Sequence, residues 1–149
     1  MPTQLRAGAN KIRIIRMTRA RIVVADDIAL ILSAACSLLR KDHEVVASAS
    51  NGTAALEAII TFQPEVAVMD ISMPGLTGIQ VARELQKRSS ETAVVFLTAH
   101  EEAAIVQGCL EAGGLGYVLK ERIGKDLLLA VQEALAGRVF VSQFSRAAR

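Results

Sequence analysis

Apolar positions along the chain follow two alternating rhythms. Five short runs, RIVVAD (21–26), EVVASA (44–49), EVAVMD (65–70), AVVFLT (93–98) and GYVLK (116–120), are rich in Val and nearly continuous. That texture is expected of strands covered on both faces. The intervening segments have helical period. Ile28, Ile31, Leu32, Ala35, Leu38 and Leu39 form one apolar stripe, and Leu127, Leu128, Val131 and Leu135 form another. Three more helices are read from GTAALEAIITFQ (52–63), GIQVARELQKR (78–88) and EEAAIVQGCLEAGG (101–114), with Pro64 and the pair Gly113, Gly114 as stops for two of them. Strand followed by helix, five times over, predicts an α/β fold: a doubly wound parallel sheet between two helical layers. The units share no common motif, so the repetition is that of βα units and not of a solenoid.

The 149 residues suit one domain with one core. Apolar residues make up 52% and aromatics only 3%, so the core is expected to be aliphatic, and the chain has few side chains on which bases could stack. No apolar stretch reaches the roughly 20 residues that span a bilayer, which makes a cytoplasmic protein with no membrane partner the expectation. Cys36 and Cys109 stand far apart, both in helical patterns, and are expected to be reduced packing residues. The formal charge is +2, but six of the 17 basic residues precede the first acid, Asp26. Residues 22–149 carry 11 basic against 15 acidic side chains, so the body is mildly acidic and lacks a nucleic-acid footprint. Residues 1–19 are expected to be a basic, flexible extension, 20–141 the folded domain and 142–149 a short tail. Met17 reads as a natural start, leaving the upstream stretch as an extended reading frame or as a basic arm that attracts an acidic surface.

Ligands of doubly wound sheets bind at the carboxyl ends of the strands, near the point where strand order reverses. Here those ends carry Asp26 and Asp27, Asp70, Thr98 and Lys120, while the second strand supplies nothing ionisable. With that strand at an outer edge, the other four converge on one crevice. Carboxylates gathered there repel one another by about 4 kcal/mol per pair at 4 Å and an effective dielectric near 20. Lys120 offsets part of this, and an oxygen-seeking cation such as Mg²⁺ fits the remainder. An aspartate beside a metal and a lysine is a competent nucleophile toward a phosphorylated donor, and the Thr98 hydroxyl is a donor for the arriving phosphoryl group.

The pieces ADD (25–27), MDISMPGLTG (69–78), LTA (97–99) and GYVLK (116–120), in this order after the expected strands, resemble the receiver domain of two-component response regulators. Each is weak alone; together they are specific, and the resemblance spans about residues 20–141. It implies a flavodoxin-like (βα)5 fold with strand order 2-1-3-4-5. It also implies Asp70 as acceptor of a phosphoryl group from a histidine kinase or histidine phosphotransfer protein, and Mg²⁺ (or Mn²⁺) held by Asp26, Asp27, Asp70 and the Ser72 carbonyl. Lys120 would contact the phosphoryl group, Thr98 and Tyr117 would form a switch pair, and Ser72 and His100 stand where the family tunes phosphoryl lifetime. Phosphorylation is expected to draw Thr98 inward, with Tyr117 following, and so alter a surface read by a downstream output protein. The stretches EAGGLGYVLK and LLLAVQEALAGRVFVS look most like receivers that precede a LuxR-type helix-turn-helix, a half that this sequence does not contain.

Plainer readings stand beside these. Asp26 or Asp27 also suits capping of the following helix. Thr98 alone is an ordinary strand residue, Tyr117 a filler beside the fourth helix, and His100 a solvated loop residue. Three alternatives to a stand-alone receiver are kept: the receiver half of a DNA-binding LuxR-type regulator, an aspartyl-nucleophile phosphohydrolase, and a receiver-like scaffold that is never phosphorylated. The phosphohydrolase generally needs a second acid two residues after the nucleophile, where this chain has Ser72. An apolar face on the first and fifth helices would serve a homodimer, and core packing accounts for the same residues.

Overall fold

A computed structural model describes residues 19–144. All but the last residue of the expected basic extension therefore lies outside the described residues. The sheet contains β1 (Arg21–Ala25), β2 (Glu44–Ala49), β3 (Val66–Asp70), β4 (Ala93–Thr98), β5 (Gly116–Leu119) and β6 (Phe140–Val141), in the order β2-β1-β3-β4-β5-β6 with every pair parallel. The five expected strands take the order 2-1-3-4-5, and a two-residue sixth strand extends the β5 edge. The helices are α1 (Ala29–Leu39), α2 (Gly52–Phe62), α3 (Gly78–Lys87), α4 (Ala103–Glu111) and α5 (Ile123–Leu135).

Alternation along each strand divides the core into two layers. Val23, Ala25, Ala67, Met69, Phe96 and Leu119 point to the side covered by α2, α3 and α4. Ile22, Val24, Val66, Val68, Leu97 and Val118 point to the side covered by α1 and α5. All are fully buried or nearly so, which is why the strands read as unbroken apolar runs. Fully burying a side chain of this size contributes about 1.5–3 kcal/mol. Cys36 and Cys109 are free thiols packed in opposite layers, and burial pushes the Cys109 thiol up to about 12. His43 serves the framework, because its buried Nδ1 accepts the Ala20 N–H at 3.0 Å and so holds the chain that leads into β1.

Three local expectations are corrected. Ile28 is not part of the α1 stripe; it is the N-cap residue and is exposed. Neither aspartate caps α1, whose N-cap has no side-chain bond; Asp26 Oδ1 accepts the Ile28 N–H, just before the first helical turn. The start of the expected tail is part of the body. Ser142 is buried, its N–H bonds the Tyr117 carbonyl, and Phe144 packs on the core. The next two helices are capped by side chains: Asn51 accepts from Ala54, and Thr77 and Gln80 make a reciprocal capping box.

Candidate functional site

The chain leaves β1 toward β2 on one side and returns to β3 on the other, so a crevice opens between the carboxyl ends of β1 and β3. Asp26 follows the last residue of β1 and Asp70 is the last residue of β3, which places both at its floor. Lys120 follows β5 and reaches across, its Nζ 3.0 Å from Asp70 Oδ2 and 3.1 Å from Asp26 Oδ2. Asp27 stands at the exposed rim. One carboxylate oxygen from each of Asp26, Asp27 and Asp70 lies within 4.8 Å of the other two. The structure thus joins four of the residues picked from strand ends, across as many as 94 positions of chain.

The turn after β3 is shaped to hold Asp70 in place. Gly75 adopts φ +82°, a conformation that costs little only for glycine, and Pro74 accepts a backbone bond from Gly52. A Cβ on Gly78 would stand 2.3 Å from the Asp70 carbonyl oxygen, so only glycine lets α3 begin against the backbone of this aspartate. Ser72 is exposed on the loop, and its N–H donates to Asp70 Oδ1 at 3.2 Å.

The electrostatics are unbalanced. Burial, with Asp26 adding repulsion, holds the Asp70 carboxyl above its ordinary value despite Lys120 and Ser72. Burial also works against charge on Lys120, but its hydrogen bonds to Asp70 and Asp26 outweigh it and raise its pKa. Asp26 is completely buried, and its Oδ2 makes no hydrogen bond; the nearby ammonium lacks the geometry for one. A buried carboxylate oxygen without a donor is costly. Three clustered carboxylates, one of them with an orphaned oxygen, suit a hard divalent cation with oxygen ligands.

Thr98 and Tyr117 are direct neighbours and also share a third residue. Thr98, at the end of β4, is buried, and its Oγ1 accepts the His100 N–H at 2.9 Å. Tyr117 is fully buried, and its hydroxyl donates to the His100 carbonyl at 3.0 Å. Burial pushes this phenol up to about 12. Both side chains therefore grip one backbone unit of the β4–α4 loop, and Tyr117 is already inside rather than waiting at the surface. The His100 ring is turned outward toward Glu102, at 3.5 Å.

Two residues escaped the sequence reading. Asp126 on α5 is buried and bonded by Arg122 Nε at 2.7 Å and by Ser142 Oγ at 2.6 Å, and Ser142 Oγ also accepts the Leu119 N–H. The four-residue spacing of Arg122 and Asp126 was visible, but Ser142 reaches them only through the sixth strand. A cavity of about 650 Å³ lies at the opposite end of the sheet, among Gln63, Arg88, Ser89 and Leu135, and holds none of these groups.

Residues 22–132 match the response regulator receiver domain family. The chain is 37% identical over 123 residues to the uncharacterized transcriptional regulatory protein YvfU of Bacillus subtilis, covering 80% of this chain and 62% of the relative. It is 36% identical over 126 residues to the probable transcriptional regulatory protein NarL of Mycobacterium tuberculosis, covering 83% and 58%. It thus spans about three fifths of the length of these curated relatives. The solved signal receiver domain of the M. tuberculosis NarL superposes with a TM-score of 0.77 at 36% identity, covering 80% of this chain and 98% of that one. A LuxR-family two-component response regulator from Aurantimonas superposes at 0.78 and 28% identity, covering 87% and 92%. With its parallel sheet in this order and its acids gathered at the β1–β3 crevice, the chain belongs to the response regulator receiver domain family, the receivers of LuxR-type signalling proteins among them.

Proposed function

We propose that Asp70 accepts a phosphoryl group from the phosphohistidine of a histidine kinase or histidine phosphotransfer protein. A carboxylate oxygen of Asp70 attacks phosphorus, the phosphorus–nitrogen bond breaks, and its electron pair leaves with the imidazole, which takes up a proton. Asp70 becomes an acyl phosphate. The observation that carries this reading is the Lys120 ammonium within 3.1 Å of both Asp70 and Asp26, beside three carboxylates that it cannot neutralise alone.

Asp26, Asp27 and Asp70, with the Ser72 carbonyl, would hold Mg²⁺ (or Mn²⁺). When bound, the ion offsets charge on the phosphoryl oxygens. Lys120 supplies a fixed positive charge on the acceptor side, pre-organised by its two aspartates. The Thr98 hydroxyl, whose oxygen accepts the His100 N–H, would donate its own proton to a phosphoryl oxygen, and drawing this side chain toward the phosphoryl group would shift the backbone unit that Tyr117 also holds. Helix α4, whose only buried residue is Cys109, is the element beside this loop best able to shift. The altered surface is read by a downstream protein, a shift between states separated by a few kcal/mol. On this reading the protein works in the cytoplasm, where thiols such as Cys36 and Cys109 stay reduced, and it signals rather than turning over a substrate.

Incubation with Mg²⁺ and acetyl phosphate should add the mass of one phosphoryl group. The adduct should be cleaved by hydroxylamine and be absent from Asp70→Asn. An adduct undiminished in that variant would overturn the assignment.

A further inference from the structure

We propose that residues 49–52, between the end of β2 and the first turn of α2, are a clasp that sets the spacing of the two loops from which the cation's ligands come. The inference rests on the metal reading above and adds to it the positioning residues that hold those ligands in register.

The second strand and its helix bring no ionisable group to the crevice, yet they are bonded to the loops on both sides of it. On one side the Ala49 carbonyl accepts the Asp26 N–H at 3.1 Å. On the other, three residues further along, the Gly52 N–H donates to the Pro74 carbonyl at 3.0 Å. Four residues of chain thus join the backbone of Asp26 to the loop that carries Ser72, by a route separate from the ladder between β1 and β3. Asp70 needs no such help, because it lies within β3 and is registered against Leu97 of β4. Asp26 and Ser72 both stand beyond a strand end.

The bond to Pro74 depends on glycine. A Cβ on Gly52 would stand 1.7 Å from the Leu76 carbonyl oxygen and 2.5 Å from its carbon. Backbone meets backbone there, so no side chain can turn aside to make room. The Gly52 N–H is one of the first-turn donors that α2 leaves without an intrahelical partner, and the Pro74 carbonyl satisfies it. One residue on, Thr53 Oγ1 lies 2.9 Å from where a Cβ on Gly75 would be, so the left-handed turn of the loop is fitted to the helix as well. The support is firm: Asn51 accepts the Ala54 N–H at 2.7 Å, and Ala55 and Ile59 are buried in the same layer as Met69, Ile71 and Met73.

The test measures Mg²⁺ affinity of the full chain by titration calorimetry, with the melting temperature without metal read alongside. Gly52→Ala should weaken Mg²⁺ binding by about tenfold or more, the usual worth of an outer contact that orients a metal ligand. Ile59→Val, which thins the buried face of the same helix, should lower the melting temperature and leave the affinity at the wild-type value. Gly75→Ala pushes the loop off α2 from the other side and carries the test where Gly52→Ala does not fold; it should weaken binding, and Thr53→Ala added to it should restore part of the loss. Wild-type affinity in Gly52→Ala, an equal loss in Ile59→Val, or a Gly75→Ala loss that Thr53→Ala does not relieve would overturn the clasp and leave the metal reading standing. Absence of Mg²⁺ binding by the wild type would overturn both.

Discussion

Two buried aspartates, Asp70 and Asp126, lie on either side of β5 and are exposed to almost the same extent, 4% and 6%, yet their environments push them in opposite directions. Around Asp126 every demand is met. Burial works against its charge, but Arg122 and Ser142 donate to both carboxylate oxygens, outweigh that cost and hold the carboxyl below its ordinary value. Around Asp70 the demands conflict. Burial and the neighbouring Asp26 raise its pKa, and one lysine is shared between two acids. The first arrangement is a satisfied structural cluster. The second stores an electrostatic deficit that a cation and a phosphoryl group would relieve, as is usual where a site is built for chemistry rather than stability.

The contrast can be broken most strongly with a metal ion. Mg²⁺ at a hundredfold excess over its Kd should stabilise the fold by about 2.7 kcal/mol, by mass action alone. Calorimetry should show this in the wild type and in Asp126→Asn, and should show it lost in Asp27→Asn. Stabilisation that survives in Asp27→Asn would mean that the ion binds elsewhere.

Asp126→Asn should cost about 2 kcal/mol in a denaturant titration, the ordinary worth of a hydrogen bond to a charged group. The folded pKa of Asp126 is depressed, so its stabilisation is present above the ordinary carboxylate value near 3.8 and is lost as pH falls through the folded value. The variant and the wild type should therefore converge in acid. A gap that persists at the lowest pH would point to shape rather than charge.

The smallest effect has the opposite sign. Without added metal, Asp70→Asn should raise the melting temperature at neutral pH by about 3 °C. The folded pKa of Asp70 is raised, so its ionisation opposes folding as pH climbs above 3.8, and the gain should vanish below that value, where the carboxyl is protonated in both states. A destabilised Asp70→Asn would show that the Lys120 pair outweighs the crowding of the acids.

Much of this was legible in the residues alone. The strands were found within a residue or so of their ends because two-sided burial writes nearly unbroken Val-rich runs, and MPG after MDIS marked the turn beside Asp70. What failed was local assignment where two partners compete for one group. Asp26 preceded a helix and suited a cap, yet its carboxylate faces the crevice, where it pairs with Lys120, and the backbone N–H that it accepts is that of Ile28, one residue ahead of the helix. Ile28 matched the α1 stripe by spacing but falls just outside the helix that would have turned it inward. Residues 142–149 read as a tail because they carry no periodic signal, although Ser142 and Phe144 are bound into the body.

The order of strands and helices, the two-faced burial of the sheet and the residue types at the strand ends were determined by the chain itself, because hydrophobic period and turn chemistry act over a few residues. That the ends of four strands converge was expected from the chain; the contacts they make there were decided only by the tertiary fold. The distance between Lys120 and Asp26, the orphaned oxygen of Asp26, the shared grip of Thr98 and Tyr117 on His100, and the bond from Ser142 to Asp126 all depend on how separate elements pack together. They exist because a parallel sheet brings every strand's carboxyl end to the same side, where charges placed independently along the chain must settle with one another.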